Sequence, residues 1–206
     1  MTSIMLDYAQ LPAMTSREQA ICAARMNRFP QVEGLRCLHE GDDLSTYSQM
    51  LEEVQLPFPL AEVWQTYTGQ TPEQMWKGPM VRYLFGYDRQ EKRHMYAGQE
   101  QGGKPQPGQL FFCLLSVGVP IGLVVMELLR LDPERHELEL AYVEGGLYRG
   151  VQQLSFQEEN GQTRVKHVSY YRGESAWVRG LVPYAYLHSK TAGEFHGAMQ
   201  RKLHAQ

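Results

Sequence analysis

The stretch LPFPLAEVWQTYTGQTPEQMWKGP, from Leu56 to Pro79, decides the reading of the fold. Within it Leu60, Val63, Trp64 and Tyr67 recur at the spacing of one helix face, and Gly69 stops the run. Thr71 then stands at an N-cap with Pro72 at the first helical position, which starts a second short helix carrying Met75 and Trp76 on its apolar side. Upstream the pattern differs. From Ser45 to Phe58, Tyr47, Met50, Leu51, Val54 and Leu56 lie among polar residues in a loosely alternating run, as in a half-exposed strand closed by Pro57 and Pro59. Two short helices therefore follow one strand.

From Val81 onward the chain turns to β-type runs: VRYLFGY, GQLFFCLLSV, GLVVMELLRL, HELELAYV, GVQQLSF and TRVKHVSYY. The turn chemistry between them suits an antiparallel meander. Gly118, Pro120 and Gly122 separate the second and third runs, Asp132 and Pro133 the third and fourth, and Gly145 with Gly146 the fourth and fifth. Asn160-Gly161 is a specific hairpin signal, because both residues tolerate the positive φ of a tight turn. The segment DRQEKRHMYAGQEQGGKPQPG, Asp88 to Gly108, reads from its Gly, Gln, Lys and Pro content as a mobile loop.

The tail from about Trp177 to Leu203 places Leu181, Ala185, His188, Ala192, Phe195, Met199 and Leu203 near one stripe of a long amphipathic helix, started or kinked near Pro183. Gly193 and Gly197, one turn apart on it, would allow close approach to the sheet. At the other end, Thr15 and Glu18 form a capping box for a helix running to about Arg28, ended at Pro30. Gln31 to Asp43 shows no clear period and reads as a connection. Residues 1–43 are thus an N-terminal helical extension, and residues 44–206 the domain proper.

The order strand, two short helices, six strands, long helix suits a sheet wrapped around one terminal helix. With the segment that holds Trp64 and Trp76, it resembles the START-like (SRPBCC) superfamily, which includes the Bet v 1, polyketide cyclase and Hsp90-activator-like groups. The resemblance spans residues 44–205 as an order of elements and about 24 residues as sequence. It implies an α+β helix-grip fold, a curved antiparallel sheet of about seven strands around a long C-terminal helix, with an internal cavity for a hydrophobic small molecule. No subfamily signature carries an active site over.

Strand alternation gives the cavity wall independently. Arg164, Lys166 and Arg172 share one face of the last strand, which turns Thr163, Val165, His167, Ser169 and Tyr171 inward. Gln152, Leu154 and Phe156 face inward on the strand before. With Glu137 and Glu139 in water, His136, Leu138, Leu140 and Tyr142 point in; with Glu127 exposed, so do Val124, Met126 and Leu128. A pocket of Val, Leu, Met and Phe emerges, with Tyr142, Gln152, His167, Tyr171 and His188 as polar candidates beside Met126 and Phe156. Each has a plainer role: a buried histidine is commonly hydrogen-bonded interior, and aromatic residues are favoured in strands.

Other chemistries are not indicated. There is no GxSxG elbow, HExxH or phosphate loop. His188, His196 and His204 recur every eight residues, about 12 Å apart along a helix, too far for one ion, so neither metal nor cofactor is expected. The net charge of −3 with interspersed signs gives no footprint for nucleic acid. No run is long and apolar enough to span a membrane, and the N-terminus lacks a signal-peptide pattern, so a cytoplasmic protein is expected. Cys22, Cys37 and Cys113 are widely spaced and odd in number, and are expected to be reduced, with Cys113 a buried small hydrophobe. Three functions remain: a binding or carrier protein for a lipid, polyketide or aromatic metabolite; a cyclase- or hydrolase-type enzyme using cavity Tyr or His as acid or base; and a protein-partner-binding module. An open, polar-lined cavity would favour the first two, a filled core the third.

Overall fold

The β-type runs become eight strands in a computed structural model that describes residues 6–28, 32–37, 42–98, 104–173 and 184–205. They are β1 (Ser48–Leu56), β2 (Val81–Asp88), β3 (Arg93–Tyr96), β4 (Gln109–Val117), β5 (Val119–Asp132), β6 (Glu137–Tyr142), β7 (Tyr148–Glu159) and β8 (Gln162–Gly173). All pair antiparallel in one sheet ordered β1-β8-β7-β6-β5-β4-β2-β3. The helices are α1 (Ser16–Arg28), α2 (Leu60–Gly69), α3 (Pro72–Met75) and α4 (Tyr184–Leu203). Pro30, residues 99–103 and residues 174–183, with Trp177, Leu181 and Pro183, lie outside the described residues.

The local signals act as their chemistry requires. Thr15 and Glu18 cap α1 reciprocally, with Thr15 N donating to Glu18 Oε2 at 2.6 Å and Glu18 N to Thr15 Oγ1 at 3.3 Å. Thr71 and Gln74 do the same for α3, with Pro72 in its first turn. Asn160 and Gly161 take φ of 56° and 76° in the β7–β8 turn. Gly150 has φ 131°, and a Cβ there would stand 1.9 Å from Tyr170 O, so the β7–β8 ladder passes only a glycine. Register shifts in β2, β4 and β5 bend the sheet around α4.

The sheet has one strand more than the sequence reading, and the extra one lies inside the Asp88–Gly108 segment taken for a loop. There the Asp88 carboxylate accepts from the Gln90 and Glu91 amides, both at 2.9 Å, and turns the chain so that Arg93–Tyr96 pairs with Phe85–Asp88. Only four residues long, β3 is too short for its alternation to stand out.

Apolar side chains cover both faces of the sheet. The inner core joins Tyr83, Phe111, Cys113, Met126, Leu128, Leu138, Leu154, Phe156 and Val165 to Val63 and Tyr67 of α2, Met75 of α3, and Leu187, Phe195, Met199 and Leu203 of α4. The outer core places Cys22 and Met26 of α1, with Val32 and Leu35, over Leu84, Phe85, Tyr87, Leu110, Phe112, Leu114, Leu123 and Val125. The extension therefore lies across the outer face of β2, β4 and β5, away from the inner face. This corrects the expectation that Glu127 is exposed: its side chain is 12% accessible, pairs with Arg89 at 2.9 Å and accepts from the Cys37 thiol at 3.1 Å. Gly193 and Gly197 do not mark close approach to the sheet. A Cβ on Gly193 would meet nothing within 4 Å, and one on Gly197 only the Arg201 side chain. α4 is tied instead by Glu194, whose carboxylate accepts from the amides of Met80 at 3.1 Å and Val81 at 3.2 Å.

Candidate ligand cavity and histidine cluster

Alternation on β5–β8 and the helical period of α4 bring their inward side chains to a common space. It encloses about 720 Å³ between atoms, its mouth included. Trp76, Val81, Leu115, Val124, Met126, Leu140, Leu154, Leu187 and Phe195 form the apolar wall. Tyr142, Tyr148, Gln152, His167, Tyr184, His188 and Thr191 supply the polar part. No Asp, Glu, Lys or Arg is among the described wall residues. A charged ligand would be desolvated there without a counter-charge, so the cavity suits a neutral, largely apolar molecule.

Of the candidates from the sequence, Tyr142, Gln152, His167, His188 and Met126 line the cavity, and Phe156 and Tyr171 do not. Phe156 packs edge-on against Trp64 and Tyr67, at ring centroid distances of 5.3 and 5.0 Å. Tyr171 stacks on Tyr184 at 3.7 Å and supports that ring from behind. Tyr148, Tyr184 and Thr191 join the wall without having been singled out. Tyr148 sits just beyond the turn that ends β6, where alternation cannot set its face; Tyr184 and Thr191 lie beside the stripe that marked α4.

A chain of hydrogen bonds runs from the core to the wall. Gln152 Nε2 donates to Tyr142 Oη at 2.7 Å, which leaves Gln152 Oε1 to accept from His167 Nε2–H at 3.2 Å. A neutral His167 then accepts at Nδ1 from His196 Nε2–H at 3.1 Å, and His196 Nδ1 accepts from the Tyr67 hydroxyl at 2.9 Å. Tyr142 and Tyr184 share a further bond at 2.9 Å. Burial, with His196 and His188 beside it, holds His167 well below the usual imidazole range. Burial likewise brings His196 down to about 4, the nearby Glu52 opposing the shift. Burial pushes Tyr142 and Tyr148 up to about 12 and raises Tyr184 well above the usual phenol range. At neutral pH His167, His196 and these phenols are thus uncharged, and His167 and the phenols add directional donors and acceptors to an otherwise apolar wall.

His188 makes a separate contact, Nε2 to Ser169 Oγ at 2.6 Å, and its Nδ1 faces Glu52 Oε1 at 3.8 Å. His188 and His196 stand two turns apart on α4, but both reach His167 on β8, with ring centroids 5.0 and 5.2 Å away. The helical spacing alone did not anticipate this convergence, because the residue between them comes from the sheet.

The architecture is the helix-grip fold of START-like proteins, with Bet v 1-like proteins among its structural neighbours. Norcoclaurine synthase from Thalictrum flavum, in complex with dopamine and hydroxybenzaldehyde, superposes with a TM-score of 0.55 at 11% identity, over 79% of this chain and 91% of that one. Protein Ms6760 from Mycobacterium smegmatis gives 0.52 at 16%, over 83% and 96%, and Ara h 8.0201 gives 0.51 at 12%, over 78% and 99%. No protein-family model and no curated protein matches the chain. Among the described residues no helix is long and apolar enough to cross a membrane.

Proposed function

We propose that the protein binds a hydrophobic small molecule, a lipid, polyketide or aromatic metabolite, in the cavity between sheet and α4. The observation that carries this is a largely apolar wall without charged residues, in which Tyr142, Tyr148 and Tyr184 lie next to one another and can orient a hydroxyl or carbonyl of the ligand. A neighbour of the same fold, norcoclaurine synthase, is known in complex with dopamine and hydroxybenzaldehyde, both aromatic molecules. Tyr142, Gln152, His167, His188 and Met126 are the contacts we assign.

The enzyme reading has one structural observation in its favour, the hydrogen-bonded chain that runs from Tyr67 through His196, His167 and Gln152 to Tyr142 and Tyr184 on the wall. The titration argues against it at neutral pH: efficient acid–base catalysis wants a group near the working pH, whereas the His167 and tyrosine values are moved away from it in opposite directions. A partner-binding role would call for a filled core beneath an apolar surface. Val117, Val119 and Ile121 are exposed on the β4–β5 hairpin, yet the inner face retains its cavity.

Native mass spectrometry of the purified protein, followed by denaturing extraction, tests the binding reading. A stoichiometric hydrophobic molecule supports it. An empty protein with no thermal shift across a panel of lipids and aromatic compounds refutes it.

A further inference from the structure

Three polar side chains from distant segments meet deep beside the cavity. Glu52 is the register partner of His167 across β1 and β8, and His196 approaches the same place from α4. His167 Nδ1 and His196 Nε2 face each other at 3.1 Å, and an oxygen of Glu52 lies within 4.8 Å of a nitrogen of each. We propose that this cluster is a binding site for a divalent transition-metal ion, Zn²⁺ being the best match, held by His167 Nδ1, His196 Nε2 and the Glu52 carboxylate.

The donor set comes first. Two imidazoles and a carboxylate suit Zn²⁺ and its neighbours in the first row, whereas Mg²⁺ and Ca²⁺ prefer oxygen alone. Ligands about 2.0–2.2 Å from a tetrahedral ion stand about 3.3–3.6 Å from one another, so the two nitrogens, now at 3.1 Å, would part by a few tenths of an ångström and turn from each other toward the ion. Three protein ligands leave a fourth position open.

The outer nitrogens carry the second argument. A ligating imidazole characteristically donates its other N–H to a fixed acceptor, which sets tautomer and ring orientation. His196 Nδ1 has the Tyr67 hydroxyl at 2.9 Å and His167 Nε2 has Gln152 Oε1 at 3.2 Å. His167 already presents a lone pair at Nδ1; His196 would present one at Nε2 by carrying its ring proton on Nδ1 instead, where the Tyr67 hydroxyl can turn to accept it. An ion would take the place of the single hydrogen bond between the two rings, each of which keeps its outer partner.

Third, the hydrogen-bonded pair alone does not account for the cluster. Glu52 Oε1 and His188 Nδ1 are buried atoms with no hydrogen-bond partner, 3.8 Å apart, and His188 is only 5% exposed. A buried carboxylate oxygen without a donor is costly, and a cation at its side removes that cost. Because His167 is also a cavity wall residue, the ion would adjoin the cavity, and the inference holds whatever molecule the cavity takes.

The test uses the full chain, stripped by chelator dialysis and titrated with ZnCl₂ by calorimetry and with CoCl₂ by visible absorption. One Zn²⁺ per chain at submicromolar Kd is expected, with a cobalt spectrum of low coordination number. Glu52→Gln and His196→Gln should each weaken binding more than 100-fold, and Gln152→Ala, which frees the His167 ring, about 10- to 100-fold. His204→Gln, at an exposed position just beyond α4, should leave it unchanged. If His196→Gln does not fold, Glu52→Gln decides, since its side chain is 18% accessible and its loss leaves the core packing intact. No uptake by the stripped protein, or uptake that survives Glu52→Gln, overturns the proposal.

Discussion

Phe111 and Phe112 are adjacent on β4 and point to opposite faces, which allows a sharp test of how the N-terminal extension is seated. Phe111 packs against Trp76 at 5.1 Å in the inner core, and Phe112 stacks on Phe85 at 4.2 Å beneath the extension. Each is 1% exposed. Truncating a buried phenylalanine to alanine costs about 3–5 kcal/mol, from lost transfer energy and from the cavity left behind. For a chain of this size each kcal/mol moves Tm by about 2–4 °C, so Phe111→Ala and Phe112→Ala should each lower it by about 6–20 °C. Urea unfolding followed by far-ultraviolet circular dichroism would give the two free energies directly. If α1 did not cover the sheet, Phe112 would face water and its truncation would fall within about 0.5 kcal/mol of wild type. That result, beside a large effect of Phe111→Ala, would refute the placement of the extension.

Other outcomes are equally specific. Deleting residues 1–43 should lower stability sharply while leaving ligand exchange from the inner cavity unchanged, measured by competition with a fluorescent ligand; faster exchange would show that the extension covers the cavity and refute its placement on the outer face. Gly150→Ala should destabilise by more than about 2 kcal/mol in denaturant unfolding, because its Cβ would collide with Tyr170 O at a positive φ. His196 has a folded pKa of about 4, below the usual 6.5, so its contribution is complete above pH 6.5 and drains away as pH falls toward 4. That linkage is worth about 3 kcal/mol over the interval, and His196→Gln should flatten this part of the stability–pH curve. Tyr171→Phe should barely change binding, since the ring still backs Tyr184, whereas Tyr184→Phe should weaken it by removing a hydroxyl from the wall.

Much of the architecture was legible because local chemistry and period agreed: the capping box at Thr15, the N-cap at Thr71, the Asn160-Gly161 turn, and the Arg164–Lys166 alternation that turns His167 inward. The outer core was less so. Its signal is the unbroken run LFFCLL in β4, which no strand with one wet face would carry; what covers it comes from residues some ninety positions earlier, with nothing local to link them. The histidine cluster was hidden for the same reason. Its four members lie on β1, β8 and α4, and the sequence hint was only that Glu52 and Glu53 are consecutive in an alternating strand, so one of them must face inward.

The pairing of β1 with β8 joins Ser48 to Tyr171, so the sheet has its first strand waiting for its last. Such distant pairing makes for slow folding, since a long loop must close before the contact repays it. During synthesis β2, β4 and β5 can assemble under α1 as soon as they emerge, with their outer side already shielded. The inner side stays open until α4 has left the ribosome. The cavity wall is thereby complete only in the finished chain, and a chaperone that protects the nascent protein would be expected to hold the concave side of the half-built sheet.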